Sequence, residues 1–81
     1  MKPTSLDLRG LKCPYPALRV RKALKAAAPG EVFVVSCTDP MAAIDVPHLV
    51  NETGDELESS RAEADVLIFH IRKALPATTA P

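Results

Sequence analysis

The residues best suited to chemistry in this chain are Cys13-Pro14-Tyr15-Pro16, which lie between a short apolar segment and a cationic one. Proline is tolerated in the first turn of a helix, because the backbone N–H groups there have no intrahelical partner. The two prolines therefore predict that a helix begins here and that Cys13 is its cap residue. A sulfur atom at the positive end of a helix dipole loses its proton more easily. The motif predicts a thiolate with a lowered pKa, and such a thiolate suggests a protein that handles sulfur.

The segments around this motif predict a β-α-β unit. Leu6 to Arg9 alternates apolar and polar residues, as a short strand does. A helix is expected from Pro14 to about Ala28, where apolar residues recur at helical spacing. Glu31 to Thr38 contains a β-branched run that is typical of a strand buried on both faces. The two strands should be parallel, so the sheet edge at their carboxyl ends would carry both Cys13 and Asp39-Pro40.

The second half of the chain predicts one more helix and two strands. Asp45 is expected to cap a helix from Val46 to about Thr53, since Pro47 is tolerated only in a first turn. Gly54 should end that helix. The remaining segments predict a polar edge strand around 57–61, a hairpin turn over 62–65, and a strand from 66 to 71 that extends as far as 73.

The element order β-α-β-α-β-β predicts the fold class. We expect an α/β two-layer sandwich, with two helices on one face of a four-stranded mixed sheet. The other face would be partly exposed and open to partners. A single domain is expected over residues 1–73, followed by a disordered tail over 74–81 that is rich in small residues and proline.

The composition argues against several classes of function. Ten Lys and Arg balance ten Asp and Glu, which argues against binding to nucleic acid or to a membrane through bulk charge. The chain has no apolar run of 18 residues and no apolar stretch of a secretory signal near Met1, so we expect a cytoplasmic protein with reduced thiols. Two cysteines are too few for a disulfide scaffold or an all-cysteine zinc site. No cofactor or metal is expected, since His48 and His70 lie on different elements, and the expected oligomeric state is a monomer.

At this point the motifs resemble those of a known family. The segment Leu6-Asp7-Leu8-Arg9-Gly10-Leu11-Lys12-Cys13-Pro14-Tyr15-Pro16 resembles the signature of the TusA/SirA-like sulfur-carrier proteins. Four later segments resemble the family's landmarks in the right order, and the resemblance covers about residues 5–73: Val20-Arg21-Lys22-Ala23-Leu24, Pro29-Gly30-Glu31, Thr38-Asp39-Pro40 and Ile44-Asp45-Val46-Pro47.

The resemblance implies that sulfur is carried as a persulfide on Cys13. The implied donor is a cysteine desulfurase or a rhodanese-like enzyme, and the implied acceptor is a relay protein of the DsrE type. The destinations that the resemblance implies are tRNA thiolation, molybdenum-cofactor metabolism and sulfur oxidation. The alternative function is a redox-sensing or regulatory interaction module. Direct nucleic-acid binding is disfavoured by the zero net charge and the single tyrosine.

Each candidate residue also has a structural interpretation. Lys12, Pro14 and Pro16 are expected to orient the Cys13 thiol or to favour its anion. Candidate partner-binding residues are Tyr15, Arg21, Lys22, Asp39 and Asp45. The simpler interpretation of the basic residues is a solvated helix face, and that of Tyr15 is local packing. The simpler interpretation of the aspartates is a role in turns and caps. Cys37 is expected to be a core or strand-end residue, with a resolving cysteine as the alternative.

Overall fold

A computed structural model describes residues 3–75 of the chain. It contains all six predicted elements, in the predicted order: β1 (Thr4–Leu8), α1 (Tyr15–Ala26), β2 (Val32–Cys37), α2 (Ala42–Thr53), β3 (Glu56–Glu63) and β4 (Val66–Arg72). The predicted α/β sandwich of two helices and a four-stranded mixed sheet is confirmed. The predicted disordered tail, 74–81, lies outside the described residues from residue 76 onward. No helix within residues 3–75 is long and apolar enough to cross a membrane.

The four strands form one sheet in the order β1-β2-β4-β3. β1 runs parallel to β2, with Leu8 opposite Cys37, as expected for strands joined by a helix. β4 pairs antiparallel with both β2 and β3. The parallel pair places the carboxyl ends of β1 and β2 at the same edge of the sheet. β3 is an edge strand, as its polar sequence predicts, and most of its residues are exposed.

A single apolar core lies between the helices and one face of the sheet. Its fully buried members include Val20 and Leu24 of α1 and Val46 and Val50 of α2. The sheet contributes four large buried side chains, which are Phe33, Val35, Phe69 and Ile71. The prediction that β2 is buried on both faces is wrong, because burial alternates along the strand and every second residue is only partly covered. The helices cover one face of the sheet, and the other face stays partly exposed.

Helix α2 begins at Ala42, four residues before the predicted start. The prediction that Asp45 caps this helix is therefore wrong, and Pro47 lies in the helix interior. Asp39 fixes the start instead, since its Oδ1 accepts the backbone N–H of Met41 at 3.0 Å. Burial of Ala42 against the core stabilises the extra turn. Gly54 ends the helix with φ at 78°, as predicted.

Candidate functional site

Cys13 lies in the loop between β1 and α1, at the edge shared by the carboxyl ends of the parallel strands. The loop is tied to the end of β2, because Gly10 N–H donates to Thr38 Oγ1 at 2.9 Å. Helix α1 begins at Tyr15, and its cap residue is Pro14, which is joined to Cys13 by a cis peptide bond. The prediction that Cys13 is the cap residue is therefore wrong by one position. Cys13 itself is exposed, which a carrier of transferable sulfur requires.

Two aspartates converge on Cys13. Asp39, in the loop after β2, accepts the backbone N–H of Cys13 on Oδ2 at 2.5 Å. Asp45, on α2, accepts the thiol hydrogen of Cys13, with 2.8 Å between Sγ and Oδ2. One carboxylate thus fixes the backbone of the cysteine and the other holds its sulfur. Both residues were predicted to bind partners, and the structure places both in contact with Cys13.

These carboxylates reverse the predicted acidity of the thiol. The pKa of Cys13 is raised above its ordinary value, chiefly by the hydrogen bond to Asp45, then by desolvation and by the charges of Asp45 and Asp39. The prediction of a lowered pKa is therefore wrong. The positive end of α1 does not compensate, since the helix begins two residues after Cys13 and its field weakens within one turn. The pKa of Asp39 is lowered, because the N–H groups of Cys13 and Met41 donate to its charged form.

A groove of about 250 Å³ extends from Cys13 between the two helices. Glu52 pairs with both basic side chains of the groove, with Arg21 Nη2 at 3.7 Å and His48 Nε2 at 3.5 Å. The rest of the lining is mostly apolar, and comprises Pro14, Ala17, Leu18 and Leu49 together with Asp45. Arg21, a predicted partner-binding residue, therefore lies in the same groove as the thiol.

The other predicted site residues are distributed around this groove. Pro16 is buried in the first turn of α1, and Tyr15, which precedes it, is 58% exposed. Lys12 is exposed and lines a second cleft with Asp39 and Pro40, on the other side of the loop. Lys22 is exposed on α1 but is not among the groove-lining residues. Of the two predicted basic partner-binding residues, only Arg21 lines the groove.

Four exposed apolar side chains lie where the two helices begin, close in sequence to the residues of the site, and we call them the apolar collar. Tyr15 and Leu18 lie on successive turns at the start of α1, and Leu18 also lines the groove. Met41 and Ile44 have the same spacing at the start of α2. The exposed fractions of the four side chains are 58% for Tyr15, 51% for Leu18, 46% for Met41 and 65% for Ile44. Sequence reasoning missed all but Tyr15, although Leu18 falls outside the apolar stripe that faces the core, and that position could have indicated it.

Comparison with known proteins shows which family the chain belongs to. Residues 4–73 match the family described as Sulfurtransferase TusA. This chain belongs to the TusA family. It is 41% identical over 69 residues to the sulfur carrier protein TusA of Allochromatium vinosum, covering 85% of this chain and 91% of that protein. It is 40% identical over 68 residues to a putative sulfur carrier protein of Archaeoglobus fulgidus, covering 83% and 88%. The resemblance predicted from the motifs is confirmed.

A solved structure shows the same fold. The SirA-like protein of Desulfitobacterium hafniense superposes with a TM-score of 0.75, covering 88% of this chain and 97% of that one. The two sequences are 22% identical, so this likeness supports the architecture alone.

The second cysteine of this TusA-family chain is part of the core. Cys37 is 0% exposed, at the end of β2, and both cysteines are free. Burial, with a smaller contribution from the charge of Asp39, raises its pKa to about 11. The prediction of a core or strand-end cysteine is confirmed. A resolving role would require Cys37 to leave the core before it could meet Cys13.

Proposed function

We propose that this protein is a sulfur carrier that accepts sulfane sulfur as a persulfide on Cys13 and passes it to the thiol of an acceptor protein. The observation that carries the proposal is the exposed Cys13 thiol, held on a fixed loop at the open end of a groove. Membership of the TusA family supports it, as do the sulfur-carrier names of the relatives. Lys12, Pro14 and Pro16 contribute by shaping the loop that presents the thiol.

The transfer is an exchange between sulfur atoms. Cys13 Sγ bonds to the outer sulfur of the donor persulfide, and the sulfur–sulfur bond of the donor breaks. The donor sulfur leaves with the bonding electrons and receives the proton that Cys13 gives up. An acceptor thiolate then attacks the same outer sulfur, and Cys13 leaves and is protonated again. Sulfane sulfur is moved without net oxidation or reduction, so the exchange needs no cofactor.

The surroundings of the thiol provide a docking surface for the donor and acceptor proteins. Exposed apolar and aromatic side chains, such as those of the apolar collar, are typical of the centre of protein interfaces. We assign Tyr15, Arg21, Asp39 and Asp45 to this surface, with Lys22 at its margin. The donor is a cysteine desulfurase or rhodanese-like enzyme, and the acceptor is a DsrE-like relay protein. The compartment is the cytoplasm, where thiols stay reduced.

The alternative function is a redox-sensing or regulatory interaction module, and a disulfide switch within the chain would need a second thiol for Cys13 to meet. Cys37 is the other cysteine of the chain, and its burial argues against such a switch. An exposed cysteine without an accessible partner within its own chain suits exchange with other proteins.

Intact-protein mass spectrometry tests the proposal. The protein is incubated with a cysteine desulfurase and cysteine, and separately with a rhodanese and thiosulfate. We expect a gain of about 32 Da, one sulfur atom, that a reductant reverses. The gain should be absent in Cys13→Ser and retained in Cys37→Ala. If neither donor adds sulfur while Cys13 still reacts with alkylating reagents, the carrier function is wrong.

A further inference from the structure

The thiol of Cys13 faces a negative environment. Asp45 accepts its hydrogen at 2.8 Å, and Asp39 holds the backbone N–H of the same residue. The basic side chains of the groove, Arg21 and His48, pair with Glu52. The charged and titratable groups around the thiol are therefore Lys12 and Asp39 from the loops, Arg21 from α1, and Asp45, His48 and Glu52 from α2.

We propose that Asp45 distinguishes the empty carrier from the loaded one, because it stabilises the Cys13 thiol and repels the Cys13 persulfide anion. This inference rests on the proposed function and concerns the regulation of the same site. An ionised carboxylate can only accept hydrogen bonds, and the neutral thiol has a hydrogen to donate. A persulfide anion has none, so its negative charge would lie against that of Asp45.

The two states of the carrier therefore differ in their exposure to partners. The empty thiol stays protonated against Asp45, and its reactivity toward small electrophiles is low. The outer sulfur of the loaded carrier turns away from Asp45 toward the apolar collar, where an acceptor protein docks. Protonation of Cys13 after delivery restores the hydrogen bond to Asp45, which favours release of the sulfur.

The first test is the pH dependence of Cys13 alkylation by iodoacetamide in the wild type and in Asp45→Asn. Loss of the carboxylate should lower the pKa of Cys13, which gives more thiolate at neutral pH. A less basic thiolate is also less nucleophilic, but this loss is smaller than the gain in thiolate. The variant should thus react several-fold faster at neutral pH and several-fold slower at the alkaline plateau.

This crossing of the two pH profiles separates an electrostatic role from a structural one. A loosened loop would change the rate in one direction at every pH. Glu56→Gln is the matched control, because it also removes one carboxylate, here an exposed one at the opposite end of the sheet, beside Arg72. Buried Cys37 reports folding in the same experiment, since it is alkylated only when the core opens. Coincident profiles for the wild type and Asp45→Asn overturn the proposal.

The second test is the equilibrium of sulfur loading from glutathione persulfide in the presence of glutathione. The ratio of loaded to empty protein, measured by intact mass, should be several-fold higher in Asp45→Asn than in the wild type and Glu56→Gln. Equal ratios overturn the proposal. Failure of the proposed function can be told apart from failure of this inference. If the carrier function is wrong, the wild type forms no persulfide at all, and the alkylation profiles still show whether Asp45 holds the thiol proton.

Discussion

Cys37 should react with thiol reagents only when the protein unfolds. Its side chain is 0% exposed in the core, so a reagent cannot reach it in the folded state. Burial also raises its pKa to about 11, so at pH 8 only about one folded molecule in a thousand carries this thiolate. Cys13, by contrast, is exposed and accessible to reagents in the folded protein.

The size of the protection follows from the stability of the domain. A small domain with a free energy of unfolding of about 5 kcal/mol is unfolded in about one molecule in 5,000. Labelling of Cys37 through that unfolded fraction is slower than in the free chain by the same factor, about 5,000-fold. The Cys37 rate should therefore increase with urea along the unfolding transition, whereas the Cys13 rate should rise only several-fold, as unfolding releases this thiol from Asp45.

Peptide mass spectrometry after timed alkylation at pH 8 measures both rates in one sample. We expect a single adduct on Cys13 in native buffer, and a second adduct on Cys37 whose urea midpoint coincides with the loss of circular dichroism. The reasoning fails if Cys37 reacts within tenfold of Cys13 without denaturant. It also fails if mild oxidant joins the two cysteines in native buffer. Either result would show a core that opens, and would favour the redox-sensing function.

Three further predictions test the docking surface, the turn after α2 and the burial of Cys37. Leu18→Asp should slow sulfur loading by a desulfurase at least tenfold and leave loading by glutathione persulfide unchanged. Leu75 is 71% exposed at the other end of the sheet, and Leu75→Asp should slow neither reaction. Asp55→Ala should lower the free energy of unfolding by about 2 kcal/mol in urea titrations, because this carboxylate, 1% exposed, accepts hydrogen bonds from Thr53 and from the backbone of Ala74. Burial raises the pKa of Cys37 from 9.0 to about 11, so the folded state keeps this proton to higher pH than the unfolded chain does. The contribution of this thiol to stability should therefore be complete below pH 9 and fall by up to about 3 kcal/mol as the pH rises through 11, and urea titrations of Cys37→Ala should lack this loss.

The architecture was predictable because its signals are local. The helical spacing of α1, the β-branched run of β2 and Gly54 after α2 each indicate an element within a few residues. The start of α2 was not predictable in this way. Pro47 is the sixth residue of α2, and a proline in a helix interior is unfavourable. The residues before it carry no sequence signal for a helix start that would outweigh this. Their packing against the core decides the boundary, and that packing exists only in the folded chain.

The features of the candidate site were likewise predictable only where their signals are local in the sequence. The motif identified Cys13 from adjacent residues, and the parallel-strand rule placed Asp39 at the same edge of the sheet. The sign of the pKa shift depends on contacts across 26 and 32 residues of sequence, to Asp39 and Asp45. The pairing of β1 with β2 brings Asp39 to Cys13, and the packing of α2 beside α1 brings Asp45 to it. A helix dipole inferred from the motif alone therefore gave the wrong sign.

A raised thiol pKa suits a carrier better than it would suit a catalyst that works alone. Stabilising the protonated thiol favours the empty state, so it shifts the exchange toward delivery of sulfur. The same shift slows loading, because the attacking species is the thiolate. A donor that brings positive charge next to Asp39 and Asp45 would offset both carboxylates and lower the pKa of Cys13 within the complex. We therefore expect docking itself to activate the thiol, with electrostatic complementarity to these aspartates as the property that distinguishes a donor from other thiol-reactive proteins.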